Sequence, residues 1–198
     1  GLGLKMYQQE YDGWYPPTTH GNPDVTTAWI YVLAPYLSDA EKVEHPNEPG
    51  KMIWQIGRVR ICPRDPHAEQ RMEDSSSSYI MNEWVTVPHV DPFGVIDWSQ
   101  TFNHRDKIEQ PGRTYVTFVG ANNLGINVTN DHTHSRSWSN WGQVTNDIAT
   151  DRYGENGSAQ FLDGTSNYLF ADNHVEERHA QTQKDLIDQG VNFSRPPH

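Results

Sequence analysis

Apolar positions at the start of the chain recur with the spacing of a helix. Leu4, Tyr7 and Tyr11 fall at i, i+3 and i+7. Five residues form this stripe or flank it: Leu2, Leu4, Met6, Tyr7 and Tyr11. The pattern predicts the end of an N-terminal helix over residues 1–13, and an unusually apolar one that needs more than one packing partner.

This helix has a marked end and no marked start. Asp12-Gly13 is typical of a helix stop, whereas no Ser, Thr, Asp or Asn stands before the stripe as an N-cap. Two interpretations remain open. Either a longer helix continues upstream of Gly1, or this is an ordinary short first helix.

The middle of the chain alternates short apolar segments with polar ones. The stripe after Asp24 predicts a helix over 25–37, which Pro35 kinks or ends. Residues 52–61 are typical of a strand. Residues 63–78 indicate a charged, mobile loop, and residues 84–87 a short strand.

The C-terminal half has the clearest strand pattern. Residues 114–119 predict an isolated strand, and 120–158 a long polar loop. The segment 159–178 predicts a hairpin, with strands at 159–162 and 167–171 and a third strand beginning at His174. A short helix is expected over 179–189. The fold class is therefore α+β, with an N-terminal helix packed on a small antiparallel sheet and long loops. We expect one domain over 1–198.

Composition excludes several classes of partner. The 198 residues carry a formal net charge of −11, so the surface repels nucleic acid and anionic lipid. No apolar run approaches the length of a membrane span. Seven Trp, nine Tyr and six Phe indicate a folded chain rather than a disordered one.

Metal chemistry has two candidate sources in this sequence. Most of the ten histidines stand in polar segments, and we interpret them, including His132 and His134, as solvated loop residues. Oxygen ligands are plentiful, so calcium is a better candidate than zinc. The candidate calcium ligands crowd one Gly-containing segment: Asp147, Asp151, Glu155 and Asn156.

Neither a nucleophile elbow nor a phosphate-binding glycine loop is present in the sequence. The residues therefore give no catalytic constellation, and a metal-dependent enzyme stays only as a rival hypothesis. A second rival is an extracellular carbohydrate-binding module. Its sugar platforms would be Trp138 and Trp141, with nearby Asn and Asp side chains and Trp98 as further candidates.

Landmarks spaced in order along most of the chain, including both of its ends, resemble those of a known bacterial family. Eight residues of the start stand in the family's order: Gly3, Leu4, Tyr7, Tyr11, Asp12, Gly13, Pro16 and Pro17. Seven residues meet its hairpin signature: Asn167, Leu169, Phe170, Ala171, Asp172, His174 and Val175. The family is that of type IV pilin-like and pseudopilin-like proteins with a prepilin-type N-terminal segment and a processing-associated H-X9-DG domain.

The match departs from the signature at two positions. Leu162 stands where the family has its histidine, and Asn173 where it has a glycine. Whatever the His and Asp-Gly pair does in the family is therefore not carried over. Asn still permits a left-handed turn, so the fold implied by the resemblance is unaffected.

The resemblance implies a pilin-like headpiece whose apolar anchor helix lies upstream of Gly1. We expect an exported structural subunit, at the cell surface or outside the cell, which forms filaments by self-assembly and is not an enzyme. It would touch the membrane only through the missing helix. No cofactor is required, calcium and a glycan are secondary candidates, and a second copy of the chain is the expected partner. The residues expected to assemble are Leu2, Leu4, Met6, Tyr7 and Tyr11.

Overall fold

The computed structural model describes residues 1–20, 24–37, 40–45, 48–154 and 162–197. Within these ranges six α-helices are present: α1 Leu2–Glu10, α2 Trp29–Val32, α3 Ala68–Glu73, α4 Glu83–Thr86, α5 Trp141–Asp147 and α6 Ala180–Asp188. The described strands are β1 Glu41–Glu44, β2 Met52–Gln55, β3 Tyr79–Met81, β4 Tyr115–Val119, β5 Thr165–Phe170 and β6 Val175–His179. The α+β class is confirmed.

The strands form two antiparallel sheets. β1 and β2 make a two-stranded ribbon, and the other four make a sheet in the order β3-β4-β5-β6. The register places Ile80 opposite Phe118 and Tyr168 opposite Glu176, with an irregularity between Tyr115 and Thr117. This four-stranded sheet is the platform for the rest of the fold.

Helices and short turns cover both faces of the four-stranded sheet. Side chains alternate between the faces of a strand, so Tyr168 and Phe170 on β5 point one way and Leu169 points the other. One face packs on α5, α6 and the C-terminal Phe193. The opposite face packs on α1 and on the segment around α2. We refer to the second of these as the α1 face of the sheet.

The first helix forms over Leu2–Glu10, as the pattern predicts. Gly1 supplies no side-chain cap. The helix stops where Asp12 and Gly13 take positive φ values of 49° and 90°, and the Gly13 amide donates to the carbonyl of Gln8 at 2.7 Å. The same rule places the end of α6, where Gly190 has φ 76°.

The continuous helix predicted over 25–37 is wrong. Asp24 does cap a turn, accepting from the Thr26 amide at 3.0 Å, but that turn is a 3₁₀ helix over Val25–Thr27. Ala28 is extended (φ −55°, ψ 140°), and Pro35 lies in a second 3₁₀ turn, so only α2 is α-helical. Apolar residues are buried on most sides of this segment, so it does not have the single apolar stripe that the sequence pattern predicts.

Three further predictions are corrected between residues 52 and 87. The strand predicted over 52–61 is β2 alone, followed by a 3₁₀ turn at Arg58–Arg60. The segment 63–78 is not a charged loop: it contains α3 and a buried ion pair of 2.7 Å between Asp65 and Arg71. The strand predicted at 84–87 is α4, because the Asn82 side chain caps the amide of Trp84 at 3.1 Å.

Two predictions for the C-terminal half of the chain are confirmed. The strand at 114–119 is confirmed as β4, and the helix at 179–189 as α6. In the hairpin, β5 and β6 are present, whereas the strand predicted at 159–162 falls mostly outside the described residues. The long segment 120–158 is not all loop, since it contains α5, capped by Asn140.

None of the described helices is long and apolar enough to cross a membrane.

Candidate functional site

The apolar residues of α1 divide between two sides of the helix. Leu4 and Tyr7 are buried, with Leu4 only 4% exposed, and pack in the cluster on the α1 face of the sheet. Leu2 and Met6, one helical turn apart on the opposite side, are 74% and 41% exposed. Tyr11, just after the helix, is also exposed. The structure therefore corrects the idea of a single exposed stripe: Leu4 and Tyr7 are not available at the surface.

Aromatic contacts fix the buried side of α1. The Tyr7 ring stacks on Tyr11 at 4.2 Å and meets Tyr36 edge-on at 6.1 Å. Burial raises the pKa of Tyr7, and the neighbouring Tyr11 raises it further. Gly3 lets the helix approach Leu37, since a Cβ at this position would lie 3.2 Å from the Leu37 side chain. These contacts hold α1 against the rest of the fold, with Leu2 and Met6 facing outward.

An apolar cavity of about 420 Å³ opens between α1, α2 and the α1 face of the sheet. Its apolar walls come from Leu4, Trp29, Ile30, Leu33, Leu37, Tyr79, Met81, Leu169 and Val175. Val175, on β6, and Val59, within the 3₁₀ turn at Arg58–Arg60, also line it and are both mostly exposed. Volumes of this size are typical of ligand or anchor-residue pockets.

A buried cation on the wall of this cavity, Arg60, is engaged by the backbone. Arg60 donates from Nε to the carbonyl of Ile56 at 2.6 Å and from its terminal nitrogens to the carbonyls of Arg71 and Met72 at 2.9 and 3.2 Å. It also donates to the carbonyl of Ser76. The guanidinium therefore fastens the chain around α3, and the cavity is lined chiefly by apolar surface.

The signature residues build the turn between β5 and β6. Asp172 Oδ1 accepts from the amide of His174 at 3.1 Å and lies 2.5 Å from its ring Nδ1. The His174 ring stacks on Phe170 at 4.4 Å, and Asn173 has φ 74°. Partial burial acts to raise the pKa of Asp172, but the bonds from His174 outweigh it and lower that pKa. These bonds stabilise the turn. Asn173, which stands in place of the family's glycine, still adopts the left-handed conformation that the turn requires.

Two more signature residues lie on β5 and face opposite sides of the sheet. Phe170 is buried in the cluster beneath α5 and α6. Asn167 faces the other way and lines the cavity. The turn itself touches the start of α1, because a Cβ at Gly1 would lie 3.1 Å from the carbonyl oxygen of Asn173. The two ends of the resemblance therefore meet in space.

A histidine network that the sequence does not reveal lies near α4. His132 is buried, and its Nδ1 lies 2.8 Å from Asp131 Oδ1, while its Nε2 lies 3.1 Å from Nδ1 of His20. Thr19 donates to Asp131 from both its amide and its hydroxyl. The interpretation of His132 as a solvated loop residue is therefore wrong. The adjacent Asp131-His132 pair was visible in sequence, but its partners stand 112 positions earlier.

The calcium candidates do not form a shared site within the described residues. Asp147 Oδ2 accepts from the amide of His134 and from the indole of Trp138, both at 2.8 Å. Asp151 is completely buried. Glu155 and Asn156 lie outside the described residues. In the part of the chain that the structure describes, no group of three or more His, Cys, Asp or Glu side chains is placed to hold a metal ion.

The structure contradicts the assignment of Trp138 as a sugar platform. Trp138 is buried against Phe118 and Phe193, so it packs the core and cannot stack on a glycan. Trp141 is half-buried at the start of α5. Trp98 is more than half exposed, with Lys107 over its ring at 5.3 Å.

No protein-family model, curated protein or solved structure matches this chain.

Proposed function

We propose that this protein is an exported, pilin-like structural subunit that self-assembles into filaments and works without catalysis. The observation that carries the proposal is the division of α1 into two apolar sides. Leu4 and Tyr7 bind the helix to its own sheet, and Leu2 and Met6 remain exposed on the opposite side. A helix with a second apolar side needs a second partner, and the same helix of a neighbouring copy supplies matching chemistry.

Two further features support a pilin-like arrangement. The N-terminal helix lies against an antiparallel sheet, and Gly1, directly before it, lies close to the β5–β6 turn that carries the signature residues Asp172 and His174. The residues that resemble the family are thus neighbours in the fold. This proximity favours one structural unit over two coincidental motifs.

The net charge sets a condition on assembly. Copies that each carry a formal charge of −11 repel one another, so polymerisation should require salt or bound cations that screen this repulsion. Filament growth should therefore rise with ionic strength. A contact dominated by ion pairs would show the opposite trend.

Electron microscopy and sedimentation of the full-length gene product test the proposal across a salt series. The double variant Leu2→Asp, Met6→Asp should keep its circular dichroism spectrum and lose its filaments. Val191→Asp, which charges another exposed apolar position, is the matched control and should still polymerise. Filaments that survive the double variant, or a wild type that stays monomeric in every salt, would overturn the proposal.

A further inference from the structure

Two histidine nitrogens lie side by side where residue 20 meets the segment 131–134. Nδ1 of His20 and Nε2 of His132 are 3.1 Å apart. Two imidazole nitrogens bound to one tetrahedral Zn²⁺ ion lie roughly 3.3 Å apart, because each Zn–N bond is about 2.0–2.1 Å long. The pair therefore has nearly the spacing of two zinc ligands. His20 is exposed, so its ring is free to turn and its proton to move to the other ring nitrogen.

The backbone on both sides of His132 is fastened to β3. The Met81 amide donates to the carbonyl of Asp131 at 2.8 Å, and the Thr133 amide donates to the carbonyl of Met81 at 2.9 Å. The His132 side chain is only 7% exposed, yet its Nε2 is the ring atom that faces the exposed His20. A ligand that is already held in place loses little conformational entropy when a metal ion binds.

The buried carboxylate of Asp131 is placed as the outer partner that a zinc-bound histidine usually has. Its Oδ1 lies 2.8 Å from Nδ1 of His132, on the side of the ring away from His20. The amide and hydroxyl of Thr19 both donate to this carboxylate, at 3.0 and 2.9 Å. A carboxylate at Nδ1 keeps the proton there and leaves the lone pair of Nε2 free to bind a metal.

We propose that Nδ1 of His20 and Nε2 of His132 bind one Zn²⁺ ion, with Asp131 orienting the His132 ring. Imidazole nitrogens suit zinc and its neighbours copper and nickel, whereas Mg²⁺ and Ca²⁺ prefer oxygen ligands. In the part of the chain that the structure describes, two ligands are placed at this position. Water or a further histidine therefore completes the coordination. The inference is independent of the proposed self-assembly.

His134 is the candidate for a third ligand. It follows His132 by two positions, and the centroids of the two rings are 5.3 Å apart. Its side chain is 68% exposed, and its Nδ1 lies 3.8 Å from Oδ1 of Asp147. A turn of this ring toward the metal therefore breaks no buried contact.

The charges around the pair do not oppose a cation. Two charged side chains that act on His20 are Glu83 and Arg136, and they face each other at 3.7 Å, so the cation is balanced by the carboxylate. Asp131 adds a carboxylate beside His132. The whole chain has a formal charge of −11, which raises the local concentration of cations at its surface.

Zinc bound here should stabilise the fold. The two ligands stand 112 positions apart in the sequence, so the folded chain brings them together and the unfolded chain does not. ZnCl₂ should therefore raise the melting temperature of the metal-free protein, and MgCl₂ at the same concentration should leave it unchanged.

Isothermal titration calorimetry of the metal-free protein with ZnCl₂ tests the proposal. His20→Gln changes an exposed side chain, so it should keep the circular dichroism spectrum of the wild type and weaken zinc binding at least about tenfold. Asp131→Asn keeps both ligands and should weaken binding by about 10–100-fold. His174→Gln is the matched control, because His174 is another partly exposed histidine beside carboxylates, and it should bind zinc like the wild type.

X-ray absorption at the zinc edge then counts the imidazole ligands. Two imidazoles are expected, or three where His134 joins them. Absence of zinc binding, a coordination sphere of oxygen atoms alone, or wild-type affinity in His20→Gln would overturn the inference. Loss of binding in His174→Gln would overturn it as well, since it would place the metal at the β5–β6 turn. Filament formation is a separate measurement, so the inference and the proposed function fail independently.

Discussion

Nδ1 of His20 lies 3.1 Å from Nε2 of His132, and the two rings meet edge-on with their centroids 5.1 Å apart. His132 is held in turn by Asp131. Because Nδ1 of His132 faces the carboxylate, it carries the proton, and Nε2 accepts from His20.

We expect this pair to make the protein sensitive to acid. Partial burial lowers the pKa of His20, and its electrostatic interaction with His132 lowers it further, while Glu83 opposes the shift and His134 and Arg136 add to it. Below an ordinary histidine pKa of 6.5, the unfolded chain takes up a proton on His20 that the folded chain does not. Stability should therefore fall as the pH drops from 6.5 through the lowered folded-state pKa.

Thermal denaturation of the wild type and of His20→Gln, between about pH 8 and about pH 5, measures this effect. The variant should lose less stability on acidification than the wild type does. Equal losses in the two proteins would contradict the assignment to His20.

The ion pair between Asp65 and Arg71 should be the most sensitive polar contact of the fold. Both side chains are almost fully buried, and their atoms lie 2.7 Å apart. Arg71→Met leaves a buried carboxylate without its cation, which should cost about 3–5 kcal/mol of unfolding free energy. The matched control is the exposed pair of Arg58 and Glu69, at 3.6 Å, where Arg58→Met should cost at most about 1 kcal/mol. Urea denaturation distinguishes the two, and equal losses would contradict the prediction.

Phe170 should be a principal core residue. It is buried between Tyr115 and the ring of His174, so Phe170→Ala should reduce the unfolding free energy by roughly 3–5 kcal/mol. Phe93→Ala removes the same ring from an exposed position and should change stability by less than about 0.5 kcal/mol. A loss below about 1 kcal/mol at Phe170 would show that this hairpin is peripheral to the core.

Substitutions on the two sides of α1 should have different effects on stability. Leu4→Ala should destabilise the fold by about 2–5 kcal/mol, because Leu4 is buried between the helix and the sheet. Leu2→Ala should be neutral within about 0.5 kcal/mol and act on assembly alone. Denaturation curves that match for the two alanine variants would contradict the division of the helix.

Sequence patterns predict the elements whose local preference agrees with their environment. In β4 and α6 the residue pattern fits the element and the boundary is clearly marked, so the sequence predicts both correctly. Trp84 and Val85 look like strand residues, but the Asn82 cap and burial against the α1-side core make them helical. Long-range packing overrides propensity there.

The candidate surfaces were harder to predict than the elements. The stripe on α1 is visible in sequence, yet which side the chain itself covers depends on Leu37 and Tyr36, far along the chain. The cavity arises only when α1, α2 and the sheet come together. Phe93 is exposed because hydrogen bonds of Asp91 shape the loop around it. The periodicity of apolar residues carries no information about such bonds.

The order of strands in the main sheet has a consequence for how the protein folds. β5 and β6 pair Leu169 with Val175 across one tight turn, whereas Tyr115 meets Phe170 only after the whole segment between them has been placed. Closing such long loops costs chain entropy before any contact compensates for it. The β5–β6 hairpin should therefore form early, and β3 and β4 should join it late. During that delay the apolar faces of the sheet lie open, so a newly synthesised chain is most exposed to misassociation before β4 docks.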